Sequence, residues 1–395
     1  MNEPLKPVGR RARLTVFLTI LLDLVGFGMI LPLLPFYAQA FKATPVQIGL
    51  LFSSYSLTQL LFAPLLGRLS DRVGRRPILL ASITGSVAAY LLFAAAPNYA
   101  VLLAARSLAG VAAANYGIAQ AYMADVSAPE ERSKAMGLVG AAFGLGFVLG
   151  PALGGVLAQA GDRAVPLAAA VLSGANLLVA FFGLPESLSP EVRGRAGRGS
   201  WFDLSDLLQV LRDSPLRGLM LLFFLVMFCF SMMEATLALF CQQRFGYGVR
   251  QTSWLFVFVG VILVVVQGGL LGRLVKRYGE RSLILSGIVL MAAGLVLLPS
   301  SQLWLLLVSL GLLAVGQGVH NPSSLGLLSR LTDESSQGST IGLSRSFGAV
   351  ARILGPSAGT LLFVAGAAWP FWAASGLMVV ALFIALGVLR QVSIV

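Results

Sequence analysis

Charge is what this sequence has least of. Only 11% of its 395 residues are Asp, Glu, Lys or Arg, where a soluble domain carries about 25%. With 57% apolar residues and a mean hydropathy of +0.87, the chain has too little polar surface to face water. Lipid is therefore its expected solvent. Cysteine is nearly absent. Cys229 and Cys241 fall in one predicted helix, about 18 Å apart along its axis, which excludes a bridge between them and leaves the redox compartment unmarked. No nucleotide loop, metal-ligand cluster or catalytic triad is legible, so neither an enzyme nor a bound cofactor or metal is expected. Acids are scarcer than bases, and the formal net charge is +12. In a soluble chain this would suggest nucleic acid. In a membrane chain basic residues gather on the cytoplasmic side, and no nucleic-acid partner is expected.

Long apolar runs are plentiful. About 20 apolar residues cross a hydrocarbon core of roughly 30 Å. Such runs lie at 14–38, 46–67, 78–96, 99–124, 134–160, 165–184, 217–241, 251–272, 282–300, 302–329, 338–363 and 369–389, which predicts twelve spans. The first follows Lys6, Arg10, Arg11 and Arg13, as a signal peptide would. It is too long for one and lacks a small-residue cleavage site, so it reads as the first span. With the amino terminus inside, the outer loops hold only Lys42, Arg163, Arg244 and Arg250 of the 28 bases. Arg106, Arg345 and Arg352 lie within spans, and all the others fall on the inner side. This predicts a multi-pass protein of a prokaryotic cell membrane with both termini cytoplasmic.

Residues 186–216 are the longest non-spanning segment. They begin as a basic, flexible linker around Pro190-Glu191-Val192-Arg193. Apolar residues at Trp201, Leu204, Leu207, Leu208 and Leu211 then predict an amphipathic helix on the inner membrane surface. The linker separates a bundle at 1–185 from one at 217–395.

One constant offset relates the two parts. Gly67-Arg68-Leu69-Ser70-Asp71-Arg72-Val73-Gly74-Arg75-Arg76 aligns with Gly272-Arg273-Leu274-Val275-Lys276-Arg277-Tyr278-Gly279-Glu280-Arg281, with six of ten positions identical. At the same offset Leu149-Gly150-Pro151 matches Leu354-Gly355-Pro356, and Gly154 matches Gly359. The expected fold is an all-α polytopic membrane protein, with twelve transmembrane helices in two pseudo-symmetric six-helix bundles. Duplicated halves in one orientation are found in transporters that rock one half against the other.

Four segments resemble the major facilitator superfamily, and within it the twelve-span drug:proton antiporters that include tetracycline exporters. They are the loop Gly67 to Arg76, Arg106-Ser107-Leu108-Ala109-Gly110 in span four, Gly146 to Gly155 in span five, and Leu22-Asp23-Leu24-Val25-Gly26-Phe27-Gly28 running on to Pro32 in span one. The resemblance implies the major facilitator fold. It implies a proton-coupled exporter of amphipathic small molecules or drugs, working by alternating access as a monomer in the bilayer. The proton gradient would supply energy and no cofactor is needed. A lipid, lysolipid or organic-anion transporter of the same fold is the alternative, and a non-transporting membrane sensor a remote one. In the loop, Gly67, Arg68, Asp71, Arg72, Gly74, Arg75 and Arg76 would form a cytoplasmic latch, with Asp71 contacting the opposite half. The plainer reading is a basic topology signal. Gly67 and Gly74 permit a tight connection. Asp125, at the inner end of span four, is a predicted partner for one of the arginines.

In span five, Gly146, Gly150 and Gly154 share one helix face, with Gly155 alongside and Pro151 loosening the helix. The spacing predicts close helix packing. The resemblance adds an outer-half seal at the interface between halves.

Ionisable residues at membrane depth are costly and mark function. Asp23 and Glu234 are the acids well within spans, about 13 Å and 25 Å from the inner ends, and Arg345 and Arg352 lie at similar depths in span eleven. Asp23 is the prime candidate for loading and releasing a proton, on a helix softened by Gly26, Gly28, Pro32 and Pro35. A permanent Asp–Arg pair is the bland reading. Glu234 is assigned to coupling or cation recognition, and Arg106 to tuning a carboxylate. Arg345 and Arg352 either favour an anionic or zwitterionic substrate or pair with the acids. Asn115 and Gln120, and His320 beside Asn321, are candidate polar contacts in the substrate cavity, though a lone histidine is more often a packing residue. The Met and Phe side chains of span seven read mainly as packing.

Overall fold

The computed structural model of the chain describes residues 10–128, 131–188, 214–332 and 337–392, and every regular element among them is helical. The amphipathic helix expected at 201–212 lies outside the described residues. Helix is what lipid demands. An apolar run in hydrocarbon has no water for its N–H and C=O groups and must pair them internally. The elements are α1 (Arg10–Ile30), α2 (Leu34–Ala40), α3 (Pro45–Val73), α4 (Arg75–Ala94), α5 (Tyr99–Ala112), α6 (Tyr116–Asp125), α7 (Arg132–Leu157), α8 (Ala164–Gly183), α9 (Ser214–Phe245), α10 (Val249–Val265), α11 (Leu271–Leu297), α12 (Leu303–Arg330), α13 (Gln337–Ala365) and α14 (Trp369–Val392).

Among the described residues, eleven helical stretches are long and apolar enough to cross a membrane. One of them, Val249–Leu297, runs 49 residues and turns back at Gly279, whose φ is +76°. It makes two passes, so the twelve expected spans are present. Where the elements differ from the expected runs, the causes are local. Span one is interrupted by a turn at 31–33, so Pro32 ends one helix and Pro35 opens the next instead of bending a continuous one. Span four is split by a 3₁₀ turn, Ala113–Asn115. Span eight ends in a π-helical turn, Val266–Leu270, carrying the pair Gly268-Gly269. The loop after span two is shorter than expected. The helix α3 runs through Gly67 to Val73, and the reversal falls on Gly74 alone, at φ +121°.

The described residues cluster into two units, Met1–Phe41 with Leu57–Gly199, and Lys42–Ser56 with Ser200–Val395. In the first unit α1 packs on α7 and α8, and α4 packs on α5 and α8. The glycine face of span five is what lets α7 approach α1. A Cβ on Gly150 would lie 2.7 Å from Gly28 Cα, one on Gly154 2.7 Å from the Met29 carbonyl oxygen, and one on Gly146 2.6 Å from Leu24 Cβ. The close helix packing expected of this stripe is therefore made with α1 of its own unit. Gly155 is buried beside it. Below, Tyr122 is fully buried among Ile20, Leu79, Ile83 and Met123, and its hydroxyl donates to the Pro185 carbonyl.

In the second unit α9 packs on α13 and α14, and α11 on α12 and α14. The duplicated glycines repeat the same device. Gly355 and Gly359 bring α13 against α9, where a Cβ would lie 2.8 Å from the Phe228 carbonyl oxygen and 2.9 Å from that of Met232. The first half of α3 clusters here too, with Ser53 Oγ donating to the Ile353 carbonyl and lying 2.9 Å from Ser357 Oγ.

Candidate functional site

Asp23 sits two turns before the end of α1, half-buried, one residue from the Leu24 that Gly146 receives. Its carboxylate accepts from Ser86 Oγ on α4 at 3.5 Å and from the Asn115 side chain. Asn115 reaches it because the 3₁₀ turn at 113–115 interrupts span four and re-aims that side chain. Its position, expected in a substrate cavity, is thus at the carboxylate. Both recorded partners of Asp23 are neutral. Arg106 lies in α5 with 2% of its surface exposed, and Gln120 is half-buried on α6.

At the other end of α6, Asp125 meets the basic loop. Arg75 Nε is 3.3 Å from Asp125 Oδ2, and Arg75 Nη1 is 2.6 Å from Asp71 Oδ1 and 3.0 Å from Ser70 Oγ. The expected pairing of Asp125 with a loop arginine therefore falls on Arg75. Arg68 Nε donates to the Pro64 carbonyl at 3.4 Å, Arg76 Nη2 donates to that of Phe181 at 2.7 Å, and Arg72 is exposed. Glu186 completes the cluster, which sequence reasoning missed. Its carboxylate accepts from the backbone N–H of Arg75 at 2.9 Å and of Arg76 at 3.2 Å, capping the start of α4. The signal was there: Glu186 directly follows span six, and the N-terminus it caps has no capping side chain of its own.

In the second unit Glu234 on α9 and Arg352 on α13 interact electrostatically, and Tyr55 acts on the same guanidinium. Arg345, two turns earlier on α13, is exposed. His320 is 1% exposed on α12, with Nε2 3.3 Å from Ser324 Oγ. Gly287 of α11 makes room for it, since a Cβ there would lie 2.8 Å from His320 Cβ. Asn321 is half-buried beside it. Among the described residues no group of three His, Cys, Asp or Glu side chains has the arrangement of a metal site. The membrane-deep charges thus include a carboxylate held by neutral donors in the first unit and, in the second, a glutamate and an arginine that act on one another electrostatically.

Known proteins share this plan. The sequence profile of the Major Facilitator Superfamily matches residues 16–276 and 268–393. The class C tetracycline resistance protein of Escherichia coli is 34% identical over 360 residues, covering 90% of each chain. The crystal structure of the human organic anion transporter MFSD10 is similar at a TM-score of 0.74 and 31% identity, covering 96% of this chain and 100% of that one. The nucleoside transporter NupG shares the fold alone, with a TM-score of 0.78 at 13% identity over 96% of this chain and 99% of the other. By sequence, span plan and fold, the chain belongs to the major facilitator superfamily and is a membrane transporter, not an enzyme.

Proposed function

We propose that this transporter exports amphipathic small molecules in exchange for protons. The observation that carries the reading is Asp23, a carboxyl deep in span one whose recorded partners, Ser86 and Asn115, are neutral. A carboxylate locked to arginine stays ionised, whereas one held by neutral donors in low dielectric changes protonation at modest cost. Water reaching it alternately from the two sides would load and unload it. Glu234, facing Arg352, has a different role, holding charge balance in the second unit. The likeness to tetracycline resistance proteins supports export, with both termini and the Arg75 cluster on the cytoplasmic side.

A second reading has its own observation. Arg345 and Arg352 add positive charge to α13, and the organic anion transporter MFSD10 is a relative, so an organic anion is the competing substrate class. Everted membrane vesicles energised to an acid interior separate the two. Adding a lipophilic or zwitterionic drug should alkalinise the lumen with the wild type and not with Asp23→Asn. Alkalinisation that persists in Asp23→Asn removes the proposal. Responses confined to organic anions and lost in Arg352→Gln select the second reading.

A further inference from the structure

Where span nine begins beside the end of span ten, the second unit holds a cavity that the proposed transport chemistry does not use. Its volume is about 530 Å³, and its lining includes Tyr278, Glu280, Arg281, Leu327, Arg330 and Leu331. Gly279 makes the opening, since its φ of +76° turns the chain back at that point. Glu280 is fixed on the inner wall. Its side chain is 11% exposed, and a Cβ on Gly326 would lie 2.6 Å from its Oε1, so α12 closes over the carboxylate. Arg330 reaches across from α12 with Nη2 3.5 Å from the same oxygen and 71% of its side chain exposed.

The charges at this place do not balance. The lining carries two guanidiniums and one carboxylate. Arg273, Lys276 and Arg277 add to them and are all exposed, and Arg277 lies 5.3 Å over the Tyr278 ring. Asp333 and Glu334 follow in sequence and lie outside the described residues. Even with them, Arg273, Lys276, Arg277, Arg281 and Arg330 outnumber Glu280, Asp333 and Glu334. In the first unit the matching anion is built in. Arg76, which corresponds to Arg281, lies over Phe181, and the cavity beside it is lined by the Glu186 carboxylate. The position corresponding to Glu186 is Gln391, which brings no charge.

Such a lining takes an anion, and the planar fork of arginine suits phosphate, whose oxygens accept two N–H bonds at once. The surroundings say where the phosphate comes from. Leu327 is buried and Leu331 half-buried, which gives the cavity an apolar wall that a free phosphate ion would not use. Tyr278 is 52% exposed at the rim, and an amphipathic ring of this kind sits at the level of lipid headgroups. Span nine then runs into Leu283-Ile284-Leu285, so the hydrocarbon begins one turn away.

We infer that this cavity binds the phosphodiester headgroup of one anionic phospholipid. Arg281 and Arg330 hold the phosphate, and Leu327 and Leu331 lie against the glycerol and the first acyl carbons. Basic pockets between membrane helices recognise headgroups by this chemistry. In the orientation proposed above the lipid belongs to the inner leaflet. A zwitterionic lipid would bring a further cation towards Arg277 and binds less well. The site stands whether or not Asp23 couples protons.

Native mass spectrometry of the full-length protein in detergent tests it. The protein is titrated with dioctanoyl phosphatidylglycerol, dioctanoyl phosphatidylcholine or inorganic phosphate, and the copies bound and their affinities are read. Wild type should hold one phosphatidylglycerol more tightly than any further copy, and phosphatidylcholine about tenfold more weakly. Arg281→Gln should weaken that copy about tenfold, and so should Glu280→Gln combined with Arg330→Gln, since each removes one guanidinium. Glu280 and Arg330 are exchanged together so that no buried carboxylate is stranded, and the melting temperature without lipid checks folding. Either variant decides the matter if the other does not fold. Arg273→Gln, outside the lining, should bind as wild type. Equal losses in Arg273→Gln and Arg281→Gln overturn the inference, because the loop is then only a diffuse positive patch. Equal affinity of wild type for the two lipids overturns it as well. Inorganic phosphate bound as tightly as phosphatidylglycerol overturns the lipid assignment and makes the ligand a soluble anion.

Discussion

At the scale of single residues, the same chemistry takes two forms according to what stands opposite. Glu234 has a guanidinium before it and Asp23 has an amide and a hydroxyl. Removing one partner of a buried acid–arginine pair strands a charge, while removing both does not. Glu234→Gln and Arg352→Gln should therefore each lower the melting temperature, and the double variant should be more stable than at least one single. Additive losses in the double-mutant cycle would show that the two side chains do not act as a pair. Glycine is decisive at Gly150. Its missing Cβ would sit 2.7 Å from Gly28 Cα, so Gly150→Leu must push α7 off α1 and should cost about 1–3 kcal/mol or abolish expression. Retention of wild-type melting would mean that α1 and α7 are less closely packed.

At the scale of elements, the repeat exposes a reversal of charge. Arg75 and Asp125 pair in the first unit. The positions matching them at the repeat offset are Glu280 and Arg330, which pair at 3.5 Å with the signs exchanged. The tie between the start of span three or nine and the end of span four or ten is thus kept while its polarity is not. Arg75→Glu alone should impair melting and transport, and Arg75→Glu with Asp125→Arg should recover most of both. No recovery would mean that Arg75 acts through Asp71 or another contact. Glu186→Ala should lower the melting temperature by removing the cap of α4, at about 1 kcal/mol, with no effect if water satisfies those N–H groups equally.

At the scale of the whole molecule, the spans, their number and their duplication were legible because hydropathy and one repeated motif report them directly. So were the position of Asp23 within span one and the basic composition of the loop that carries Arg75. The partners were not. Asn115 meets Asp23 through a 3₁₀ turn that no proline or glycine in 113–115 announces. Glu186 meets the loop from a position far along the chain, and hydropathy is silent on which helix faces which.

The central claim is that protonation of Asp23 drives transport, and purified protein in proteoliposomes tests it most directly. With a compound that the vesicle screen identifies, substrate exchange at equal pH and accumulation driven by a pH gradient are measured side by side. Asp23→Asn should keep exchange and lose gradient-driven accumulation. Accumulation by Asp23→Asn at the wild-type level would contradict the account and move proton coupling elsewhere in the chain.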